Sequence, residues 1–386
     1  MRKININFKK IYKSLIISII FLFVLKSDVK SIDVSAKSAI LICADSGCQV
    51  WSKNETEPLP MASTTKIMTS ILALEECSAH GNKEIEITPE MIRVEGTSMG
   101  LQAGDIVNLE SLAKGMLLCS GNDAANATSI AVSGDTKQFV NLMNEKAKLL
   151  GMKDTKFSTP SGLDKDNHHS TARDMALLGA YAMENESFAK IVSQKSMPVK
   201  FINPSKTVNF KNHNKLLRLY PNCIGIKTGF TKLAGRCLVS CAQKDGIKLV
   251  CVTLNAPNDW DDHISLYNYG FQNTKIKTFN DKNFKSLIKI TNGEKEEVPI
   301  EALKDFSISL NSEKENLIER KIDIPQSHNA PIEKGQVVGK IIYSLEGKSI
   351  GENDIVASET VNEKKIEKKG IIGSIVEYFK NFFKKQ

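Results

Sequence analysis

The chain has little that would let it cross a membrane. Its most apolar run, Leu15 to Leu25, is eleven residues long, whereas a spanning helix needs roughly twenty. Metal chemistry is equally poorly provided for. No Cys-x-x-Cys pair occurs among the eight cysteines, and none of the six histidines stands at ligand spacing from them, which argues against a zinc site. No internal repeat or long low-complexity segment is visible. Acidic residues are outnumbered, 44 against 52 basic, for a net charge of +8. The surplus gathers in the first thirteen and last twenty-five positions, where a membrane surface rather than nucleic acid is met.

What is present suits a folded protein of two to three domains: 386 residues, 41% hydrophobic and 25% charged, which excludes global disorder. Arg2, Lys3, Lys9, Lys10 and Lys13 precede the apolar run and a polar stretch follows it, the layout of an export signal. Val29 and Ser31 fit a small-residue cleavage site, and Ser35 with Ala36 offers another. An uncleaved anchor that borrows flanking residues is the alternative. An exported chain with an even cysteine count could be disulfide-bonded. Most of these cysteines lie within apolar runs, however, so they read as small core residues.

Ser38 to Ile42 and Gln49 to Trp51 read as a hairpin around Asp45-Ser46-Gly47. Ile67, Met68, Ile71, Leu72 and Leu74 recur at helical spacing, so Ser63 is expected to open a helix of about four turns. Further helices are expected at Leu109 to Cys119, Asp123 to Val132, Thr136 to Leu150 and Thr171 to Met183. Strands return at Gly225 to Lys227, Arg236 to Ala242 and Lys248 to Asn255, and a helix follows from about Asp261 to Phe271. Helices clustered between two sets of strands predict one sheet assembled from both ends of the domain. Beyond Lys275, alternating segments such as Ser286 to Thr291, Phe306 to Leu310, Ile318 to Ile324 and Val337 to Tyr343 predict a small all-β domain. In the tail, Ile371, Ile372, Ile375, Val376, Phe379, Phe382 and Phe383 share a helical face flanked by lysines. That pattern suits an amphipathic helix lying on a membrane surface, with docking on the chain's own domain as the alternative. The expected divisions are 1–31 (signal), 32–274 (catalytic domain), 275–362 (β domain) and 363–386 (linker and tail helix).

Ser63-Thr64-Thr65-Lys66 places a hydroxyl and an amine three residues apart on one helical face. Alone this means little, since Ser27/Lys30, Ser187/Lys190 and Ser286/Lys289 share the spacing. Ser120-Gly121-Asn122 lies in a loop between two apolar helices. Lys227-Thr228-Gly229 follows a strand-like Gly225-Ile226, with a glycine that lets a ligand backbone approach an edge strand. In this order the three resemble the active-site set of penicillin-binding proteins and serine β-lactamases. The stretches Glu57 to Ala62, Ser120 to Asn126, Pro160 to Leu163, Ser170 to Ala176 and Gly225 to Thr231 resemble, more narrowly, the low-molecular-weight D-alanyl-D-alanine carboxypeptidases.

The resemblance implies an α/β (α+β) penicillin-binding/β-lactamase-like transpeptidase fold, an antiparallel sheet packed by helices, with a small all-β C-terminal domain and an amphipathic tail. It implies a serine peptidase that removes the terminal D-alanine from peptidoglycan stem peptides without cofactor or metal, and that β-lactams acylate. Ser63 is then the nucleophile. Lys66 is its base, kept neutral by burial and by the charge of Lys227. Ser120 relays a proton to the leaving group and Asn122 holds the substrate amide. The backbone amides of Ser63 and Phe230 form the oxyanion hole, and Lys227 with Thr228 meets the terminal carboxylate.

Departures occur at His213, where the family often has arginine or threonine, at Ile224, often aspartate, and at Lys232-Leu233, often more acidic; they imply altered substrate preference. Cys119 reads as a packing residue. His168 and His169 read as surface residues in a polar loop that borders the cleft at most. A class A β-lactamase, which would need a deacylating glutamate on an added loop, and a non-enzymatic wall-binding protein are the competing readings. No Glu-x-x-Leu-Asn stretch lies between the second and third motifs, and the intact site residues speak against the binding protein.

Overall fold

The computed structural model describes residues 32–365; the expected signal and tail helix lie outside the described residues. The first strand, β1 (Ser38–Cys43), is buried along its whole length. A continuous apolar run of this kind belongs in a sheet covered on both faces, and that is where it lies. β1 pairs antiparallel with β2 (Gln49–Lys53) on one side. On the other it pairs with a strand from far along the chain, so that Ala39 stands opposite Thr253.

Six helices fill the sequence between: α1 (Lys66–His80), α2 (Leu109–Leu118), α3 (Asn122–Ser133), α4 (Thr136–Leu149), α5 (Ala172–Ala182) and α6 (Glu186–Val192). Two antiparallel strand pairs accompany them, the first between α1 and α2 and the second after α6. One joins β3 (Glu84–Glu86) to β4 (Ile106–Asn108), and the other joins β5 (Ser196–Phe201) to β6 (Lys206–Lys211). After a helical turn at Leu216–Leu219 come β7 (Cys223–Thr231), β8 (Gly235–Lys244), β9 (Ile247–Leu254) and α7 (Asp259–Asn273). The five-stranded sheet runs β2-β1-β9-β8-β7, with every neighbour antiparallel. It is therefore built from both ends of the domain, as the sequence predicts, and β7 is an edge.

The period of two along β8 decides which helix covers which face. Val239 lies on the side of α5, where a Cβ on Gly179 would come within 3.0 Å of it. The next residue, Ser240, bonds His263 and Tyr267 of α7 on the opposite side. Ala176 and Ala180 accompany Gly179 along α5, so the helix can lie close on the sheet. Helix starts follow side-chain capping: Asn108, Asp135, Thr171 and Asn185 each accept an N–H from the first turn of α2, α4, α5 and α6, which satisfies donors the helix cannot.

Ser63 does not open the α-helix. It sits in a 3₁₀ turn, Ala62–Thr65, and α1 begins at Lys66. The hydroxyls of Thr64 and Thr65 donate to the carbonyls of Met61 and Ala62 at 2.6 and 2.8 Å, competing with the longer-range helix pattern and tightening the turn.

The C-terminal part is all β, as expected. β10 (Thr274–Phe279) pairs with β13 (Phe306–Asn311). A six-stranded sheet joins β11 (Lys285–Thr291), β12 (Glu297–Ala302), β14 (Ile318–Asp323), β15 (Ser327–Asn329), β16 (Val337–Leu345) and β17 (Lys348–Ala357) in the order β14-β16-β17-β12-β11-β15. Its inner cluster stacks Phe306 on Tyr343 with ring centroids 4.2 Å apart. All eight cysteines are free, six of them buried, in keeping with their reading as core residues.

Candidate active site

Three elements converge at one end of the five-stranded sheet: the Ala62–Thr65 turn with the start of α1, the loop between α2 and α3, and the edge strand β7. Gly229 of β7 explains how closely they approach. A Cβ there would stand 3.0 Å from Met61 O and 3.1 Å from the backbone nitrogens of Ser63 and Thr64. Only a residue without a side chain lets the strand lie against the turn.

Lys66 is 0% exposed, at the first position of α1. Its Nζ lies 3.0 Å from Ser63 Oγ, 2.7 Å from Asn122 Oδ1 and 2.6 Å from the Ser161 carbonyl. A neutral amine has two N–H bonds and one lone pair. The two carbonyl-type oxygens can only accept, so they take the two N–H bonds and leave the lone pair facing the Ser63 hydroxyl. Burial, and secondly the positive charge of Lys227, hold Lys66 well below the ordinary lysine range, so the amine that this pattern requires is also the one its surroundings favour.

Ser120 occupies the left-handed region at φ 64°, strained for a non-glycine residue and of a kind that clusters at functional sites. Its carbonyl accepts from Thr97 Oγ1 at 2.6 Å. Its Oγ accepts from Lys227 Nζ at 3.1 Å, and Lys227 also donates to Thr228 O at 2.9 Å. Lys227 is 1% exposed, and burial brings it down to about 8. The two lysines are thus unequal: near neutral pH Lys227 keeps its charge while Lys66 is biased to lose its own.

Asn122 differs from its expected place. It is buried and does not line the cleft. Its Oδ1 holds Lys66 and its Nδ2 donates to Glu95 O at 2.7 Å, a pair of contacts that also fixes the amide orientation. In this state it orients the base. Lys227 likewise stands behind Ser120 and does not open directly on the cleft.

The cleft itself has a volume of about 330 Å³ and is walled by Ser63, Thr97, Ser120, His213, Thr228 and Phe230, among others. Phe230 is 66% exposed at its rim. His213 lies on the wall, its pKa lowered by burial and by Lys227. Five lining residues carry no signal in the sequence: Thr97, Lys215, Arg236, Asp259 and Trp260. Arg236 is the cross-strand partner of Phe230. Its Nε and Nη2 donate to Asp259 Oδ1 at 3.0 and 2.7 Å, and its guanidinium sits 5.2 Å from the centroid of the Trp260 ring, so it is held rigidly as a cleft-side cation.

His168 corrects its reading as a surface residue: it is buried, bonded to Thr65 Oγ1 at 2.9 Å and to the Ser158 amide at 2.9 Å. A run such as Asp164-Lys165-Asp166-Asn167 looks solvated, and its neighbour is buried because the loop folds back onto the nucleophile turn. Cys119 is a packing residue as read, its thiol 3.1 Å from Gly115 O and pushed up to about 11 by burial.

With this geometry in place, comparison with known proteins is specific. Residues 25–258 match the family model described as D-alanyl-D-alanine carboxypeptidase, and residues 271–363 match the C-terminal domain of penicillin-binding protein 5. The D-alanyl-D-alanine carboxypeptidase DacC of Escherichia coli is 34% identical over 363 residues, covering 88% of each chain. DacF of Bacillus subtilis is 30% identical over 336 residues, covering 85% of this chain and 86% of the relative. The crystal structure of penicillin-binding protein 5 from Haemophilus influenzae superposes with a TM-score of 0.67 at 29% identity, covering 87% of this chain and 100% of that one. The sheet built from both ends of the domain, the Ser63–Lys66 contact and these relatives agree: the chain belongs to the D-alanyl-D-alanine carboxypeptidase family of low-molecular-weight penicillin-binding serine peptidases.

Proposed function

We propose that this enzyme removes the terminal D-alanine from peptidoglycan stem peptides through an acyl-enzyme on Ser63. The observation that carries this reading is the buried Lys66 amine 3.0 Å from Ser63 Oγ, with its other two contacts both acceptors. Lys66 takes the hydroxyl proton as Ser63 Oγ bonds to the carbonyl carbon between the two D-alanines. The resulting oxyanion is met by the backbone N–H groups of Ser63 and Phe230, which Gly229 allows to come close. As the C–N bond breaks, Ser120 gives its proton to the leaving amine and is reprotonated by the Lys66 ammonium, which returns Lys66 to its neutral form, while the charged Lys227 beside Ser120 stabilises its oxygen. Free D-alanine departs, and water hydrolyses the ester, returning the proton to Ser63.

The substrate backbone lies along the free edge of β7. Its terminal carboxylate meets Thr228 Oγ1, with the anchored Arg236 supplying the cation that the buried Lys227 does not present directly. His213 lines the same end of the cleft and tunes preference. β-Lactams acylate Ser63 by the same attack, with ring opening in place of departure.

In this reading residues 32–274 form the peptidase domain and 275–362 a β spacer. The signal at 1–31 exports the chain to the outer face of the cytoplasmic membrane, and the tail at 363–386 holds it at the membrane surface. Release of D-alanine from diacetyl-lysyl-D-alanyl-D-alanine, abolished in Ser63→Ala, is the test. An unchanged rate in that variant sinks the assignment.

A further inference from the structure

His168 is committed at both ring nitrogens, and in opposite senses. The Ser158 N–H donates to Nδ1 at 2.9 Å, so Nδ1 carries no proton and the single ring proton sits on Nε2. Nε2–H then faces Thr65 Oγ1 at 2.9 Å. The Thr65 hydroxyl spends its own proton on Ala62 O at 2.8 Å. This chain of bonds ends on Ala62, a non-glycine residue at φ 48° immediately before Ser63.

The loop that carries His168 touches the other half of the pair as well. Its Ser161 carbonyl accepts from Lys66 Nζ at 2.6 Å, and its Pro160 carbonyl accepts from Thr69 Oγ1 at 2.6 Å. At Gly162 the loop comes so near the turn that a Cβ would stand 2.0 Å from Ala62 O. One loop therefore sets both where the amine points and where the turn bearing the hydroxyl lies. His168 is the buried side chain that bolts the loop to that turn.

We propose that His168, as the neutral Nε2–H imidazole, is a positioning residue that locks the Ser63 turn onto the Ser161 loop and thereby fixes the distance between the Ser63 hydroxyl and the Lys66 amine. The inference rests on Ser63 and Lys66 being nucleophile and base. Burial, His169 and Lys66 together hold the imidazole down to about 4, so it keeps the one tautomer that fits Ser158 and Thr65. A protonated ring would set an Nδ1–H against the Ser158 N–H and open the bolt.

The experiment compares His168→Leu with His168→Gln in the full chain. Leucine fills similar space without polar atoms, whereas the glutamine amide restores a donor and an acceptor. His168→Leu is expected to slow acylation by penicillin by about 100-fold, as a displacement on the order of 1 Å does, with little change in the concentration needed for half-saturation. It should also raise the acid limb of the acylation rate by about half a pH unit, because water that enters the opened seam stabilises the Lys66 ammonium. His168→Gln should recover most of both.

Acylation by His168→Leu within about twofold of wild type, with an unmoved acid limb, overturns the proposal, as does a loss that merely follows the folded fraction measured by circular dichroism. Should that variant not fold, Thr65→Val, which removes the bridging hydroxyl and leaves the imidazole, must show the same two changes at smaller size; no change overturns the proposal. Nitrogen-15 shifts of His168 in the wild-type protein test the tautomer independently, because an Nδ1–H form overturns the inference even if Ser63 is acylated. Failure of wild type to be acylated at Ser63 would instead strike the catalytic reading beneath it.

Discussion

Lys227 Nζ, 1% exposed, donates to Ser120 Oγ at 3.1 Å, and Ser120 lines the cleft, so Ser120 links a buried cation to the space where a leaving group departs. The hydroxyl accepts from the ammonium and keeps its own proton for the cleft. That relationship divides the labour between the two lysines. One must be neutral to take a proton, and the other must be charged to make a serine give one up.

The pH dependence of acylation follows from that division. Lys66 acts as a base only when deprotonated, so the rate is expected to climb as pH rises through its depressed pKa. Lys227 acts while charged, so the rate should fall again as pH passes about 8. The two limbs belong to an interacting pair and are read as macroscopic constants. Stopped-flow acylation by a chromogenic cephalosporin across the pH range checks this, and a rate still level well above pH 8 would contradict the role given to Lys227.

Gly229→Ala is expected to cost more in catalysis than in stability. The new methyl meets the backbone at Met61 O, Ser63 N and Thr64 N, so β7 or the nucleophile turn must yield by a few tenths of an ångström. Acylation should drop by about 100-fold, while the melting temperature falls only a few degrees, consistent with a destabilisation of about 1 kcal/mol. Equal acylation by variant and parent would show that the close approach is not needed.

Arg236→Ala should raise the KM for a peptide ending in a free carboxylate by about tenfold, equivalent to about 1.4 kcal/mol. It should leave acylation by an uncharged ester lacking that carboxylate nearly unaffected. Arg236→Lys should not restore it, since a lysine can neither fork onto Asp259 nor stack on Trp260 as the guanidinium does. Equal losses on both substrates would instead mark Arg236 as a purely structural partner of Asp259.

Thiol reactivity separates folding from chemistry. With eight free cysteines, six of them buried, the denatured chain should react with a disulfide reagent at all eight positions without prior reduction. The native chain should react slowly at most of them, because burial holds the thiols Cys43, Cys237 and Cys241 protonated. Fewer than eight equivalents from freshly purified, denatured protein would reveal a disulfide.

Much of this architecture is legible in the chain. The hairpin around Asp45-Ser46-Gly47, α2 through α5 and the strands β7 to β9 declare themselves by period and by turn residues. The convergence of Ser63, Lys66, Ser120 and Lys227 is expected only from the family resemblance of the three motifs, since neither period nor spacing brings the three segments together. The β5–β6 hairpin is hidden: Pro198 sits within it, and a proline lowers the strand signal wherever it falls. The 3₁₀ turn at Ser63 escapes because threonine hydroxyls decide it rather than apolar spacing. His168 and Arg236 escape for a shared reason. Each acquires its meaning from a partner brought near by tertiary folding, Thr65 for one and Asp259 for the other, and neither partnership has a local signature.

The seat of β1 between β2 and β9 has a consequence for how the molecule comes into being. Its partner strand is made only after all six intervening helices, so a partly synthesised or truncated chain holds an apolar ribbon with one bare side. Such a fragment would stick to its own kind before it could cleave anything. Folding is then expected to be slow, gated by this late long-range closure, and hydrolytic competence arrives in a single step near the end.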